Sequence, residues 1–243
     1  MPVVQLLHTC LVNEFAPEVG FAVARVLERL GNDVAVPRDQ TCCGQPALNA
    51  GFPDQARVAA RHTIAMLEAT SGPIVIPSGS CGDMVIHQYE RLFEDDPGWQ
   101  TRARTVAARC REFSVFVSDH LPTLPLSRPI DTSVTYHPSC HLLRGLGVNE
   151  EPQAIIAAIA GVARREMAAA DECCGFGGLF AIKHPEISSR MLDRKVETVL
   201  RSGAERLVAC DLGCLLHLGG GLHRRGATIR VQHLAELVDE ACS

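Results

Sequence analysis

The tripeptide Cys42-Cys43-Gly44 returns as Cys173-Cys174-Gly175, and this duplication constrains the fold more than any other feature of the chain. A lone cysteine precedes each doublet, Cys10 by 32 positions and Cys140 by 33, and another follows, Cys81 and Cys214. Between doublet and last cysteine the copies stay in register. Leu48 matches Leu179, Pro53 falls one position from Pro185, and Gly72 lies as far beyond Cys43 as Gly203 lies beyond Cys174. Val117-Ser118-Asp119-His120-Leu121 is matched to Val231-Gln232-His233-Leu234, with an extra stretch around Phe93 to Cys110 lengthening the first copy.

Pro122, Pro125 and Pro129 interrupt both helix and sheet, so residues 1–121 form the first repeat, 122–132 a Pro-rich connector and 133–243 the second repeat. Each repeat alternates strand and helix. Val3 to Leu7, Asp33 to Val36 and Ile74 to Ile76 read as strands, with helices at Pro17 to Leu30 and Asp54 to Ala69. The second copy repeats this with strands at Val134 to Tyr136 and Leu207 to Ala209 and helices at Pro152 to Gly161 and Pro185 to Arg201. The expected fold is α/β, two tandem pseudo-symmetric repeats, each a small parallel sheet flanked by helices. Each cysteine station follows a strand, so all fall at the carboxyl ends of the strands, the edge where ligands bind.

In a chain of 243 residues, 47% hydrophobic, a real core is available to both repeats. A formal charge of −5, with basic residues scattered, argues against nucleic acid as a partner. Neither a charged leader nor an apolar run of membrane-spanning length is visible, which leads us to expect a cytoplasmic protein with no membrane span. In a reducing compartment eleven cysteines point to metal binding or redox chemistry rather than to disulfides.

Four thiolates on a soft metal suit either tetrahedral zinc or an iron–sulfur cluster. Here the groups are separated by about thirty residues or more, and the middle station is an adjacent pair whose side chains diverge. Such a pair grips two irons of a cluster more easily than one small ion. The metal-ligating candidates are Cys10, Cys42, Cys43 and Cys81 in one repeat and Cys140, Cys173, Cys174 and Cys214 in the other. Gly44 and Gly175 are cofactor-binding candidates, allowing the close backbone approach that turns amide N–H groups toward sulfur. Cys110 and Cys242 have no counterpart and read as small buried hydrophobes. His8, His137, His141 and His217 lie near cysteines and read as packing or supporting residues rather than as ligands. His120 and His233 are expected to open the terminal helix of each repeat. Gly219-Gly220-Gly221 reads as a helix end rather than a nucleotide fingerprint, and no flavin or nicotinamide site is expected.

With Gln40-Thr41-Cys42-Cys43-Gly44-Gln45-Pro46, Pro77-Ser78-Gly79-Ser80-Cys81 and Cys210-Asp211-Leu212-Gly213-Cys214-Leu215-Leu216-His217, the chain resembles the CCG-domain family of cysteine-rich iron–sulfur proteins over nearly its whole length. The similarity is strongest to members serving lactate utilization, which are related to the glycolate oxidase iron–sulfur subunit and to the CCG-containing component of heterodisulfide reductase. The resemblance implies iron–sulfur clusters of [4Fe-4S] type, one per repeat, in an electron-transfer component of a multi-protein system oxidising L-lactate. Its partners would be the other iron–sulfur subunits of that system, with peripheral docking to a membrane electron acceptor. The family pattern ends in CxxC. Here Ser78 replaces the earlier cysteine of the first repeat, and in the second three residues, not two, separate Cys210 from Cys214, with Cys210 as a fifth ligand candidate. A cluster-dependent enzyme resembling disulfide reductases and a zinc-stabilised binding module are the competing expectations.

Overall fold

Two four-stranded, wholly parallel sheets carry the molecule, ordered β2-β1-β3-β4 and β6-β5-β7-β8. The structure, a computed structural model, describes residues 2–242. The first half runs β1 (Val3–Leu6), α1 (Cys10–Phe15), α2 (Pro17–Arg29), β2 (Asp33–Ala35), α3 (Gln45–Asn49), α4 (Pro53–Glu68), β3 (Ile74–Ile76), α5 (Gly79–Asp83), a π-helical turn Met84–Gln88, α6 (Tyr89–Leu92), α7 (Pro97–Ala107), β4 (Cys110–Glu112) and α8 (Phe113–Asp119). The second runs β5 (Thr132–Tyr136), a π-helical turn His141–Gly145, α9 (Glu150–Ala158), β6 (Val162–Arg164), α10 (Leu179–Lys183), α11 (Pro185–Arg201), β7 (Arg206–Ala209), α12 (Leu212–Arg224), β8 (Arg230–His233) and α13 (Leu234–Ala241).

Proline opens α2, α4, α7 and α11, where a missing N–H costs no hydrogen bond. Helix α4 buries Ala56, Ala60, Thr63, Ile64 and Leu67, and α11 buries Ser188, Leu192, Lys195, Val196 and Val199 at the same spacing. The repeat is thus structural as well as sequential.

Three expectations are corrected. The strand that precedes the last helix of the first half is Cys110–Glu112, so Glu112 and Phe113, not His120 and Leu121, correspond to His233 and Leu234; His120 ends α8, whereas His233 does cap α13. The added segment is α7. Short β6 joins the strands read from the sequence; Val162–Arg164 is a largely exposed edge strand with no apolar alternation to mark it. Gly219-Gly220-Gly221 lies inside α12 rather than at its end. A Cβ on Gly221 would come within 2.8 Å of Val196, so α12 and α11 approach as closely as they do only through glycine.

The halves exchange helices across a pseudo-two-fold axis. α2 of the first packs on α13 of the second, α8 of the first packs on α9 of the second, and α5 meets the His141–Gly145 turn as α1 meets α12. One apolar cluster consequently contains Val4, Val23, Leu27 and Phe113 together with Ile155, Val208, Leu234 and Leu237. Arg25 and Arg29 on α2 both pair with Asp239 on α13 at its rim.

Truncating a residue of that shared core should weaken both halves together. Leu237→Ala is expected to cost ~2–5 kcal/mol in urea denaturation and to preserve a single transition; two separate transitions would show that the halves are stable independently. Glu112 supplies a pH test. Its Oε2 accepts from the Ser114 N–H at 2.7 Å, its Oε1 is buried without a partner among the described residues, and burial pushes its pKa up to about 7. Between the ordinary carboxylate range and pH 7 the folded state keeps a proton the unfolded state releases, so stability falls as pH rises. Glu112→Gln is expected to remove that slope, measured as the difference between the two proteins' stabilities across pH 4.5 to 8, worth up to roughly 3 kcal/mol.

Candidate metal centre

In both sheets the strand order reverses direction between the first and third strands, β1 and β3 or β5 and β7, opening a crevice at their carboxyl ends. Cys10 begins α1 just beyond β1, and Cys81 lies in the first turn of α5 just beyond β3. The Cys42-Cys43 doublet arrives from the loop after β2. Cys140, Cys214 and the Cys173-Cys174 doublet reach the equivalent places after β5, β7 and β6. Three stations far apart in sequence thus converge in each half.

Convergence is close enough for the sulfurs to touch. Cys43 Sγ lies 3.4 Å from Cys81 Sγ, and Cys174 Sγ lies 3.4 Å from Cys214 Sγ. Hydrogen bonds from Cys10 and then Cys43 hold the Cys42 thiol far below the ordinary thiol range, while Cys10 is pushed up by its bond to Cys42. Cys140, Cys173 and Cys174 repeat the pattern: Cys173 is driven down by bonds from Cys140 and Cys174, and Cys140 is raised. The lowered thiol in each set is the first of the doublet, Cys42 or Cys173.

The glycine after each doublet supports that thiolate. Gly44 and Gly175 adopt φ of 88° and 91°, and their N–H groups donate to Cys42 Sγ at 3.5 Å and Cys173 Sγ at 3.4 Å. Thr9, just ahead of Cys10, also has positive φ (66°), an uncommon state for a β-branched residue and one that fits a strained turn at a site.

All eight cysteines line one cavity of about 640 Å³ between the halves, walled largely by apolar groups including Pro46, Phe52, Phe176, Leu179 and Ile182 and open to solvent on one side, where Phe52 and Ile182 are exposed. Cys210 is not on it. It is fully buried in the core shared by the halves, with its Sγ 3.8 Å from the Tyr136 hydroxyl, and the extra residue before Cys214 turns it away from the other thiols. Cys110 and Cys242 lie in apolar clusters, where burial pushes the Cys110 thiol up to about 12.

Ser78 and Asp211, each three positions before the last cysteine, form a pair that sequence reasoning missed. Ser78 Oγ accepts from the Cys81 N–H (3.3 Å) and Asp211 Oδ1 from the Gly213 N–H (3.1 Å), so they cap α5 and α12. The caps meet at the pseudo-two-fold axis. Ser78 Oγ–H donates to Asp211 Oδ2 at 3.1 Å, and the Ser80 N–H donates to the same oxygen at 3.0 Å. Two acids there would repel, so a hydroxyl opposite a carboxylate is the complementary choice. The signal available in the sequence was the N-cap residue type at a matched offset.

Of the histidines, His8 does not line the cavity; its N–H donates to Gln40 Oε1. His141 Nδ1 lies 3.0 Å from Asp83 Oδ2 across the interface, which raises its pKa. His217 lines the cavity, 3.4 Å from Ser188 Oγ and tilted on Phe176. His137 is 1% exposed, and neither ring nitrogen has a partner among the described residues. It forms with Cys174 and Cys214 a group whose ligand atoms all lie within 4.8 Å of one another. Burial pushes its pKa down to about 3, so the ring is neutral and able to bind a metal. The donor set fits a soft metal group: clustered free thiols, buried at Cys43, Cys81, Cys174 and Cys214 and half-buried at Cys10, Cys42, Cys140 and Cys173, with amide donors aimed at two of the sulfurs.

Fold and site together define a class, the duplicated α/β protein whose two strand-end thiol sets face a common cavity. A family model described as CCG, cysteine-rich domain, matches residues 4–86 and 134–219. The chain is 41% identical to lactate utilization protein A of Exiguobacterium sp. strain AT1b over 99% of this chain and 98% of that protein. It is 42% identical to lactate utilization protein A 2 of Bacillus mycoides and to lactate utilization protein A of Bacillus cytotoxicus, each over 97% of this chain and 98% of the relative. The chain belongs to the CCG cysteine-rich domain family, among the homologues of lactate utilization protein A.

The two glycines differ in how much room they have. A Cβ at Gly175 would meet Ser188 O and Met191 Cβ at 2.8 Å, whereas at Gly44 the nearest atoms are Ala56 O at 3.1 Å and Ala59 Cβ at 3.2 Å. Both alanine variants lose ~1–2 kcal/mol to the left-handed backbone, and Gly175→Ala adds ~1–3 kcal/mol of overlap. Thermal melting should rank wild type above Gly44→Ala above Gly175→Ala; equal losses would show that the two turns are not built as described.

Proposed function

We propose that this chain is an iron–sulfur electron-transfer component of a multi-protein system that oxidises L-lactate or a related 2-hydroxy acid. The observation that carries the reading is the paired set of four thiols on one cavity, Cys10, Cys42, Cys43 and Cys81 facing Cys140, Cys173, Cys174 and Cys214. Each set would hold one cluster of [4Fe-4S] type, whose chemistry when bound is the uptake and release of single electrons. The chain's own residues gather the thiolates, donate to them from Gly44 and Gly175, and set them in a largely apolar wall.

The lactate assignment rests on the relatives' names and on similarity over nearly the whole of both chains. Oxidation of the 2-hydroxy acid is assigned to a partner, and the partners are other iron–sulfur subunits of the same system. No helix among the described residues is long and apolar enough to cross a membrane, so contact with a membrane electron acceptor would be peripheral. The expected location is the cytoplasm. Cys210, which faces Tyr136 rather than the cavity, is left outside the ligand set.

Protein reconstituted anaerobically is expected to be brown and to carry iron and acid-labile sulfide in both halves. Cys81→Ser should lose the first-half share and Cys214→Ser the second. Stoichiometric zinc without sulfide would contradict the reading, and robust pyruvate formation from L-lactate by the isolated chain with an artificial acceptor would make it the dehydrogenase itself.

A further inference from the structure

The two thiol sets have matching backbones and unlike surroundings. Leu7 and His137 occupy one structural position: each lies three residues before the first cysteine of its half, and their N–H groups donate to equivalent carbonyls, Val75 O at 3.0 Å and Val208 O at 2.8 Å. In the first half Leu7 packs in the cluster that contains Cys43 and Cys81. In the second, the imidazole of His137 stands in the same relation to Cys174 and Cys214. A buried ring with both nitrogens unpartnered is costly unless something absent from the bare chain satisfies it. The metal-binding groups beside this ring are the thiols of the second set.

A second difference lies one layer further out. Thr63 of α4 and Lys195 of α11 are equivalent buried positions. The Lys195 ammonium donates to Ala169 O at 2.9 Å and Ala170 O at 2.6 Å, beneath the second thiol set. Glu172 and Asp171 oppose this charge, and Asp211 adds a further carboxylate beside the thiols. Asp211 is bonded across the axis to Ser78 and Ser80, and its charge bears on Cys140 and Cys214 of the second set.

Resting on the iron–sulfur reading above, we infer that the two centres are unequal by construction: a ring nitrogen of His137 contacts the metal group of the second half, where the first half offers only Leu7, and the second centre therefore takes the first electron. A ring N–H donated to cluster sulfur in place of an apolar contact favours the more negative, reduced state of a cluster and raises its potential.

The test uses the full chain, reconstituted with iron and sulfide and titrated with dithionite, as wild type, His137→Leu and Leu7→His. The wild type is expected to show two reduction waves, with nitrogen hyperfine coupling in pulsed EPR belonging to the more positive one. His137→Leu should abolish the coupling and either lower that wave or lose the second-half iron. Leu7→His should raise the other wave, and it keeps the second site intact if His137→Leu fails to fold. Two waves unmoved in His137→Leu with iron retained, or an unmoved lower wave in Leu7→His, would overturn the inference. Iron in both halves with one shared wave and no nitrogen coupling would overturn it alone, whereas wild type that takes up no iron and sulfide would overturn the underlying iron–sulfur reading as well.

Discussion

A thiolate removed from water needs a positive partner or a set of donors, and this chain gathers eight thiols around one apolar cavity. Most local features of the molecule answer that requirement. Glycine with positive φ turns an amide N–H onto Cys42 and another onto Cys173. Cys81 and Cys214 sit in the first turns of α5 and α12, just beyond the caps Ser78 and Asp211. Within each set, bonds from neighbouring thiols lower Cys42 and Cys173, and Cys43 and Cys174 donate to Cys81 and Cys214. A metal group would replace those shared protons, which is the same electrostatic problem solved with a larger charge.

The pseudo-two-fold arrangement then makes one cavity of two sites. Because each half packs its early helix on the other's last one, the carboxyl edges of both sheets face inward, and the caps Ser78 and Asp211 meet on the axis. Holding the halves in this way joins their cores. The symmetry is broken where the chemistry differs: a leucine against a histidine, a threonine against a lysine, a hydroxyl against a carboxylate.

The duplication and its strand-end placement were legible because they are local. The doublets, the flanking cysteines and the Pro-led helices α4 and α11 repeat at nearly constant spacing, and Pro185–Arg201 is bounded as the periodicity implies. What escaped depends on tertiary approach. Three-residue β6 is an exposed edge with nothing in its pattern to mark it, and the glycine run of α12 reads as a break until Val196 is seen against Gly221. The added helix α7 displaced the apparent match near His120. Ser78 looks like a lost cysteine in the sequence, whereas its hydroxyl caps α5 and reaches Asp211 in the other half. His137 cannot be told by sequence from three other histidines near cysteines, since its burial and its lack of partners set it apart only in the folded chain.

The central claim is that each four-thiol set encloses its own iron-containing group. Anomalous diffraction from anaerobically grown crystals, collected on both sides of the iron absorption edge, tests it most directly. The account predicts two iron peaks in the cavity, one bounded by Cys10, Cys42, Cys43 and Cys81 and the other by Cys140, Cys173, Cys174 and Cys214. A single peak shared by both sets, or density that shows zinc and no iron, would contradict it.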